Sequence, residues 1–93
     1  MIKCILEIYG LPYAITNVRE VELRLRNRAR LTDVITALKH RFPKLEGSVI
    51  YSGENRLMDS CMINVNGRFY FQDSLLDIKE GDRLKLLSLA TGG

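Results

Sequence analysis

The residues with the most chemical promise stand last in the sequence, Leu84-Lys85-Leu86-Leu87-Ser88-Leu89-Ala90-Thr91-Gly92-Gly93. A strand-like apolar run passes into small side chains and closes on two glycines. Glycine ends a strand badly for stability, because it loses the most backbone entropy and brings no side chain to pack. It suits delivery of a carboxylate. Without Cβ atoms, Gly92 and Gly93 can enter a narrow channel, and a nucleophile can approach the terminal carbonyl carbon unhindered. From Leu89 the tail could reach roughly 13 Å, at ~3.3 Å per extended residue. A carboxylate is a poor electrophile, since its charge repels nucleophiles and it lacks a leaving group. Adenylation by ATP corrects both faults. A sulfur donor could then convert Gly93 to a thiocarboxylate, or a protein amine could attack and form an isopeptide bond. The plain alternative is a frayed chain end, and the rest of the chain must decide.

Other chemistry finds little support. There is no phosphate-binding glycine loop and no cluster of histidines or cysteines. His40, the only histidine, lacks a Cys, Asp or Glu companion at ligand spacing, so it reads as a capping or surface residue. Asp73 and Asp77 share a loop region and read as surface charge. Cys4 and Cys61 have neither metal nor redox spacing and read as small core residues. No catalytic residue, metal ligand or bound cofactor is expected. Reduced thiols, no long apolar run and no signal-peptide layout predict a cytoplasmic protein.

The 93 residues suit one domain, with 46% apolar and 27% charged residues, as in ordinary globular chains. The net charge is only +3, yet Arg19, Arg24, Arg26, Arg28 and Arg30 fall within twelve residues. Such a stripe can attract nucleic acid or an acidic protein; the favoured reading is the solvated face of one strand and its following loop.

The elements that must carry the tail are legible in the patterning. Ile2, Cys4, Leu6 and Ile8 alternate with Lys3, Ile5, Glu7 and Tyr9 as in a half-buried strand. A loop over Pro12 to Asn17 is predicted to join it, antiparallel, to a second strand whose Val21, Leu23 and Leu25 face inward. The period then changes: Leu31, Val34, Ile35, Leu38 and Phe42 predict a helix, with Thr32 as N-cap and Pro43 as its stop. Residues 44–59 read as turns around a short Val49-Ile50-Tyr51 run. Cys61, Ile63 and Val65 form a strand, Asn66-Gly67 a type I′ hairpin turn, and Phe69-Tyr70-Phe71 the return strand. Glu80-Gly81-Asp82 turns into the final strand, Arg83 to Leu89. Its leucines occupy both faces, which predicts a central strand between the first strand and the Cys61 strand. The whole predicts an α+β fold over residues 1–89, a mixed sheet wrapped around one main helix, with a flexible tail at 90–93.

Val65-Asn66-Gly67-Arg68, then Leu75-Leu76-Asp77-Ile78-Lys79-Glu80-Gly81-Asp82-Arg83-Leu84, then Gly92-Gly93 resembles the MoaD/ThiS family in order and spacing. The extra segment 44–59 is more like MoaD-type chains. The resemblance implies a ubiquitin-like β-grasp fold and a sulfur carrier adenylated and thiocarboxylated at Gly93, with Gly92 and Thr91 in the slim tail. It implies a ThiF/MoeB-type adenylating enzyme that uses ATP. It also implies a sulfur acceptor such as the large subunit of molybdopterin synthase, in molybdenum cofactor biosynthesis. Partner contacts are expected at Leu87 and Leu89, with Phe69 and Phe71 as further candidates. Two departures stand out: Ser88-Leu89-Ala90-Thr91 lacks the proline common before the glycines, and the net charge is positive. The resemblance implies a protein co-substrate rather than an enzyme. A ubiquitin-like modifier joined through Gly93 to lysines is the alternative. A non-covalent module using Arg24, Arg26, Arg28 and Arg30 is disfavoured, because no aromatic interleaves the arginines to stack bases.

Overall fold

The computed structural model describes residues 1–89. Its strands are β1 (Ile2–Ile8), β2 (Glu20–Leu25), β3 (Cys61–Val65), β4 (Arg68–Tyr70) and β5 (Arg83–Ser88). They form one five-stranded sheet in the order β2-β1-β5-β3-β4. β5 pairs parallel with β1 and antiparallel with β3, while β1–β2 and β3–β4 are antiparallel hairpins. The predicted central position of the last strand holds.

Period-two alternation decides the faces. Cys4, Leu6, Ile8, Val21, Leu23, Leu25, Cys61, Ile63, Val65, Leu84 and Leu86 are buried on one face. Helix α2 (Leu31–Arg41) covers them with Leu31, Val34, Ile35 and Leu38. Leu45, Val49, Ile50 and Leu57 from the weakly patterned stretch complete this core. Both cysteines are free and buried in it. No described helix is long and apolar enough to cross a membrane.

The turns fall where their residues allow positive φ. Asn66 and Gly67 lie at φ 51° and 86°, and Val65 faces Arg68 across the two-residue loop. At the other turn Gly81 donates its N–H to the Lys3 carbonyl at 2.8 Å, and Lys3 donates to Glu80 Oε1 at 2.9 Å. Asp82 Oδ2 accepts from the Lys79 N–H at 2.9 Å. The Glu80-Gly81-Asp82 turn therefore sets β5 in register beside β1.

Two expectations are corrected. The segment after β1 is a short helix, α1 (Gly10–Thr16), in place of a loop. Pro12 is compatible with it because proline in a first helical turn forfeits no intrahelical bond. Pro12 is buried, Tyr13 and Ile15 pack on the core, and Asn17 ends the helix at φ 56°. The second correction concerns the start of α2, where the N-cap is Arg30 and Thr32 lies inside the first turn. Two of the helix's free N–H groups are met from the loop after β4: the Ser74 carbonyl accepts from Leu31 N–H at 3.0 Å and Asp73 Oδ1 from Thr32 N–H at 3.2 Å. Within the helix, Asp33 Oδ2 reaches back to accept from the Arg30 N–H at 2.7 Å. Asp73 also takes Arg30 Nε at 3.1 Å, so it does more than carry surface charge.

Leu86 is fully buried in the central strand. Leu86→Ala is expected to lower unfolding free energy by about 2–5 kcal/mol, because the surrounding sheet can collapse only partly into the cavity. Urea denaturation of the full chain measures it.

Candidate functional site

The site begins where β5 ends. Ser88 is the last strand residue, and the chain is held on both flanks at that point. On the β3 side Ser88 is paired with Cys61, and Leu89 N–H donates to the Ser60 carbonyl at 2.6 Å. On the other side Tyr9 N–H donates to the Leu86 carbonyl at 2.9 Å, and Leu11 N–H donates to Ser88 Oγ at 3.1 Å. The turn from β1 into α1 thus presses against the end of β5. Gly10 makes that approach feasible: it lies at φ +65°, and a Cβ there would sit 2.5 Å from Ser88 Oγ. Gly93, Gly92 and Thr91 lie outside the described residues, as does the whole expected tail 90–93.

Exposed apolar residues surround this exit. Tyr9 and Leu11 flank Gly10, and Leu89 is 51% exposed immediately beyond β5. Leu87 is half-buried on the face of the sheet opposite α2, directly across from the buried Met62. Phe69, 49% exposed, shares that face two strands away, opposite Asn64. Phe71 is set apart. At 55% exposed, it follows β4 and lines a cleft of about 390 Å³ together with Leu31, Thr32 and Ile35 of α2. The structure thus gathers Leu87 and Leu89, leaves Phe69 on the same face, and turns Phe71 toward the helix. The patterning gives Tyr9, Leu11, Ser88 and Ser60 no role at this site. A glycine directly after an unbroken strand was the one signal for them.

A polar cluster borders the same face. Arg83 Nε donates to Glu7 Oε2 and its terminal nitrogen to Glu20 Oε2, both at 2.8 Å. The Tyr9 hydroxyl also donates to Glu7. The Tyr9 and Arg83 hydrogen bonds hold the Glu7 carboxyl below its ordinary 4.5, and the same contact raises the Tyr9 phenol. The cysteines move the other way. Burial, helped by Asp82 and Glu80, pushes the Cys4 thiol up to about 11, and burial raises Cys61 as well. Burial thus disfavours the reactive thiolate at both positions. Among the described residues no group of His, Cys, Asp and Glu could hold a metal ion.

The arginines diverge. Arg19 stacks on the Tyr13 ring at 4.6 Å, Arg26 pairs with Asp33 at 3.0 Å and Arg30 with Asp73 at 3.1 Å. Arg24 is exposed on β2, and Arg28 lies in the following turn at φ 59°.

Two measurements check this geometry. Gly10→Ala is expected to destabilise the fold by about 1–2 kcal/mol from the left-handed backbone alone, and further through the Ser88 contact. Ser88→Ala should cost less, and the double variant less than the sum of the two, because removing Oγ relieves the clash. Additivity in urea denaturation would refute the contact. For Glu7, a folded pKa below the unfolded one stabilises above the unfolded value, and that contribution is lost as pH falls through the folded one. Tyr9→Phe should raise the Glu7 midpoint in an NMR titration and weaken this acid sensitivity. An unchanged midpoint would discount the hydrogen bond.

Known proteins share this architecture. The ThiS family profile matches residues 6–93. The structure is similar to that of SAMP1 from Haloferax volcanii, with a TM-score of 0.80, 22% identity, and coverage of 98% of this chain and 99% of that one. It is similar to a Pyrococcus furiosus protein described as a molybdopterin converting factor, subunit 1 (TM-score 0.73, 26% identity, coverage 97% and 100%). SAMP1 from Methanosarcina acetivorans, a small archaeal modifier protein, matches at TM-score 0.74 and 20% identity, covering 100% and 98%. No curated protein sequence matches the chain. With the profile spanning nearly its full length, the chain belongs to the ThiS family of small carrier proteins and has the ubiquitin-like β-grasp fold.

Proposed function

We propose that this protein carries sulfur as a thiocarboxylate on Gly93. The observation that supports it most is the family match running through Gly93, together with a last strand whose end is clamped at Ser88 and Ser60. In the first step a Gly93 carboxylate oxygen attacks the α-phosphorus of ATP on a ThiF/MoeB-type enzyme, and pyrophosphate leaves. In the second, hydrosulfide attacks the acyl carbon, AMP departs with the bonding electron pair, and loss of the S–H proton leaves the thiocarboxylate. Burial of Cys4 and Cys61, which disfavours their thiolates, argues against sulfur being held on the chain's own thiols. The acceptor is the large subunit of a molybdopterin synthase, in molybdenum cofactor biosynthesis, and the setting is the cytoplasm. The likeness to the Pyrococcus furiosus converting-factor subunit favours this branch. ATP is consumed by the activating enzyme and stays unbound by this chain.

The described residues supply the docking side of this chemistry. Leu87 and Leu89, with Tyr9 and Leu11 around the exit and Phe69 farther out, contact the activating enzyme and the acceptor. Phe71 meets only a partner that also reaches α2. Conjugation through Gly93 to lysine amines is the second reading. It uses the same acyl-adenylate, and several proteins of this fold carry the name of modifiers.

Mixing the protein with ATP, a ThiF/MoeB-type enzyme and a sulfide source should raise its intact mass by one sulfur in place of one oxygen. The gain should vanish when Gly93 is deleted. No adduct with an enzyme proven active would reject the carrier reading. Gly93-dependent conjugates in cells without a thiocarboxylate would favour the modifier.

A further inference from the structure

β2 is one edge of the sheet, and its hydrogen-bonding groups have a definite direction. The Ile8 N–H donates to the Arg19 carbonyl at 2.8 Å. Bonded pairs alternate along an antiparallel ladder, so Leu6–Val21, Cys4–Leu23 and Ile2–Leu25 are also bonded pairs. Glu20, Glu22 and Arg24 consequently point their N–H and C=O groups away from β1. Among the described residues no backbone group bonds them there. A cleft of about 350 Å³ lies between this edge and α2, lined by Leu25, Thr36, Ala37 and His40, so the helix does not fill the space beside the strand.

Edge strands are usually blunted by charge. Here the charges are arranged differently. Glu20-Val21-Glu22-Leu23-Arg24-Leu25-Arg26 carries acids in its first half and bases in its second, with Leu23 between them. We propose that this edge pairs, antiparallel, with the same edge of a second copy of the chain about a two-fold axis at Leu23.

In that register Glu22 faces the second copy's Arg24, Glu20 faces its Arg26, and Val21 faces its Leu25. The outward groups of Glu22 and Arg24 bond each other, and Leu23 meets its own copy at a non-bonded position. Moving the axis to Glu22 or to Arg24 sets two like charges opposite each other. A one-residue slip turns apolar side chains onto the wrong face. Parallel pairing in register sets like against like throughout. Charge therefore selects one orientation and one register. The central pair is available for this role: the Glu22 and Arg24 side chains are 51% and 70% exposed, and only 4.0 Å of loose contact links them within one copy. Glu20 and Arg26 already have partners in Arg83 and Asp33, so they contribute less. A single strand pair is a small interface, which makes the dimer weak and reversible. The axis reverses the direction of the second β5 within a continuous ten-stranded sheet, so the two copies of Ser88 lie at opposite edges of it.

Sedimentation of the full chain over a concentration series tests the pairing. The average mass should rise with concentration, and amide exchange at Glu22 and Arg24 should slow in parallel. E22R sets arginine against arginine twice per dimer and should weaken association roughly tenfold or more. The double variant E22R/R24E restores complementarity and should recover it; far-UV circular dichroism checks that both fold. A wild type that stays monomeric, or association indifferent to E22R, would overturn the proposal. So would failure of the folded double variant to recover. The exchange experiment needs no variant and is decisive by itself: unchanged amide protection in a concentrated, associated sample would equally overturn the proposal.

Discussion

β5 is hydrogen-bonded to β1 on one side and to β3 on the other, and without it two separate hairpins would lack a common sheet. Its core-facing Leu84 and Leu86 are completely buried, so the same strand also joins the apolar surfaces of both hairpins under α2. The chain enters this slot only after α2 and residues 44–60 have passed beneath the sheet from the β1–β2 side to the β3–β4 side. The Glu80-Gly81-Asp82 turn then aligns it against Lys3. Sheet order, core and the position of Ser88 at the end of β5 all follow from that one insertion.

A large part of this was readable from residue types. Leucines on both faces of the last run indicate two neighbours, because an edge strand seldom needs apolar side chains on its outer face. Asn66-Gly67 needed only its local φ preference, and Val21, Leu23 and Leu25 needed only a period of two. What escaped the sequence depends on residues far apart in the chain. Thr32 has the right chemistry for an N-cap, yet Asp73, some forty positions away, meets its N–H, and Arg30 takes the cap position. Pro12 suggests a break, but burial of Pro12, Tyr13 and Ile15 against the core makes a helical turn worth forming. Of the site, Leu87 and Leu89 were legible as apolar residues near the tail. The Gly10–Ser88 contact was not, since it brings together residues seventy-eight positions apart whose meeting depends on sheet order.

The face opposite α2 divides into two characters. Toward β2 it is ionic, with Glu20, Glu22, Arg24, Glu7 and Arg83 exposed or bonded to one another. Toward β3 and the exit it is apolar, with Met62, Leu87 and Leu89. Exposed surface ion pairs add little stability, so the ionic half is better understood through orientation and partner choice. The apolar half is where burial against another protein would repay desolvation. The arginines, read together in sequence as a stripe, are split among these surroundings and do not act as one patch.

The central position of β5 has a consequence for the chain as it is being made. Synthesis runs from the N-terminus, so the β1–β2 hairpin and α2 emerge while the gap beside β1 is still empty. Closing that gap joins residues about eighty positions apart, a long-range contact of the kind that slows folding. The sheet therefore completes only when the residues next to the tail have left the ribosome. An enzyme that recognises the finished sheet at the exit would meet only chains translated through the last strand. Recognition of shape would in this way double as a check that β5 is seated between β1 and β3.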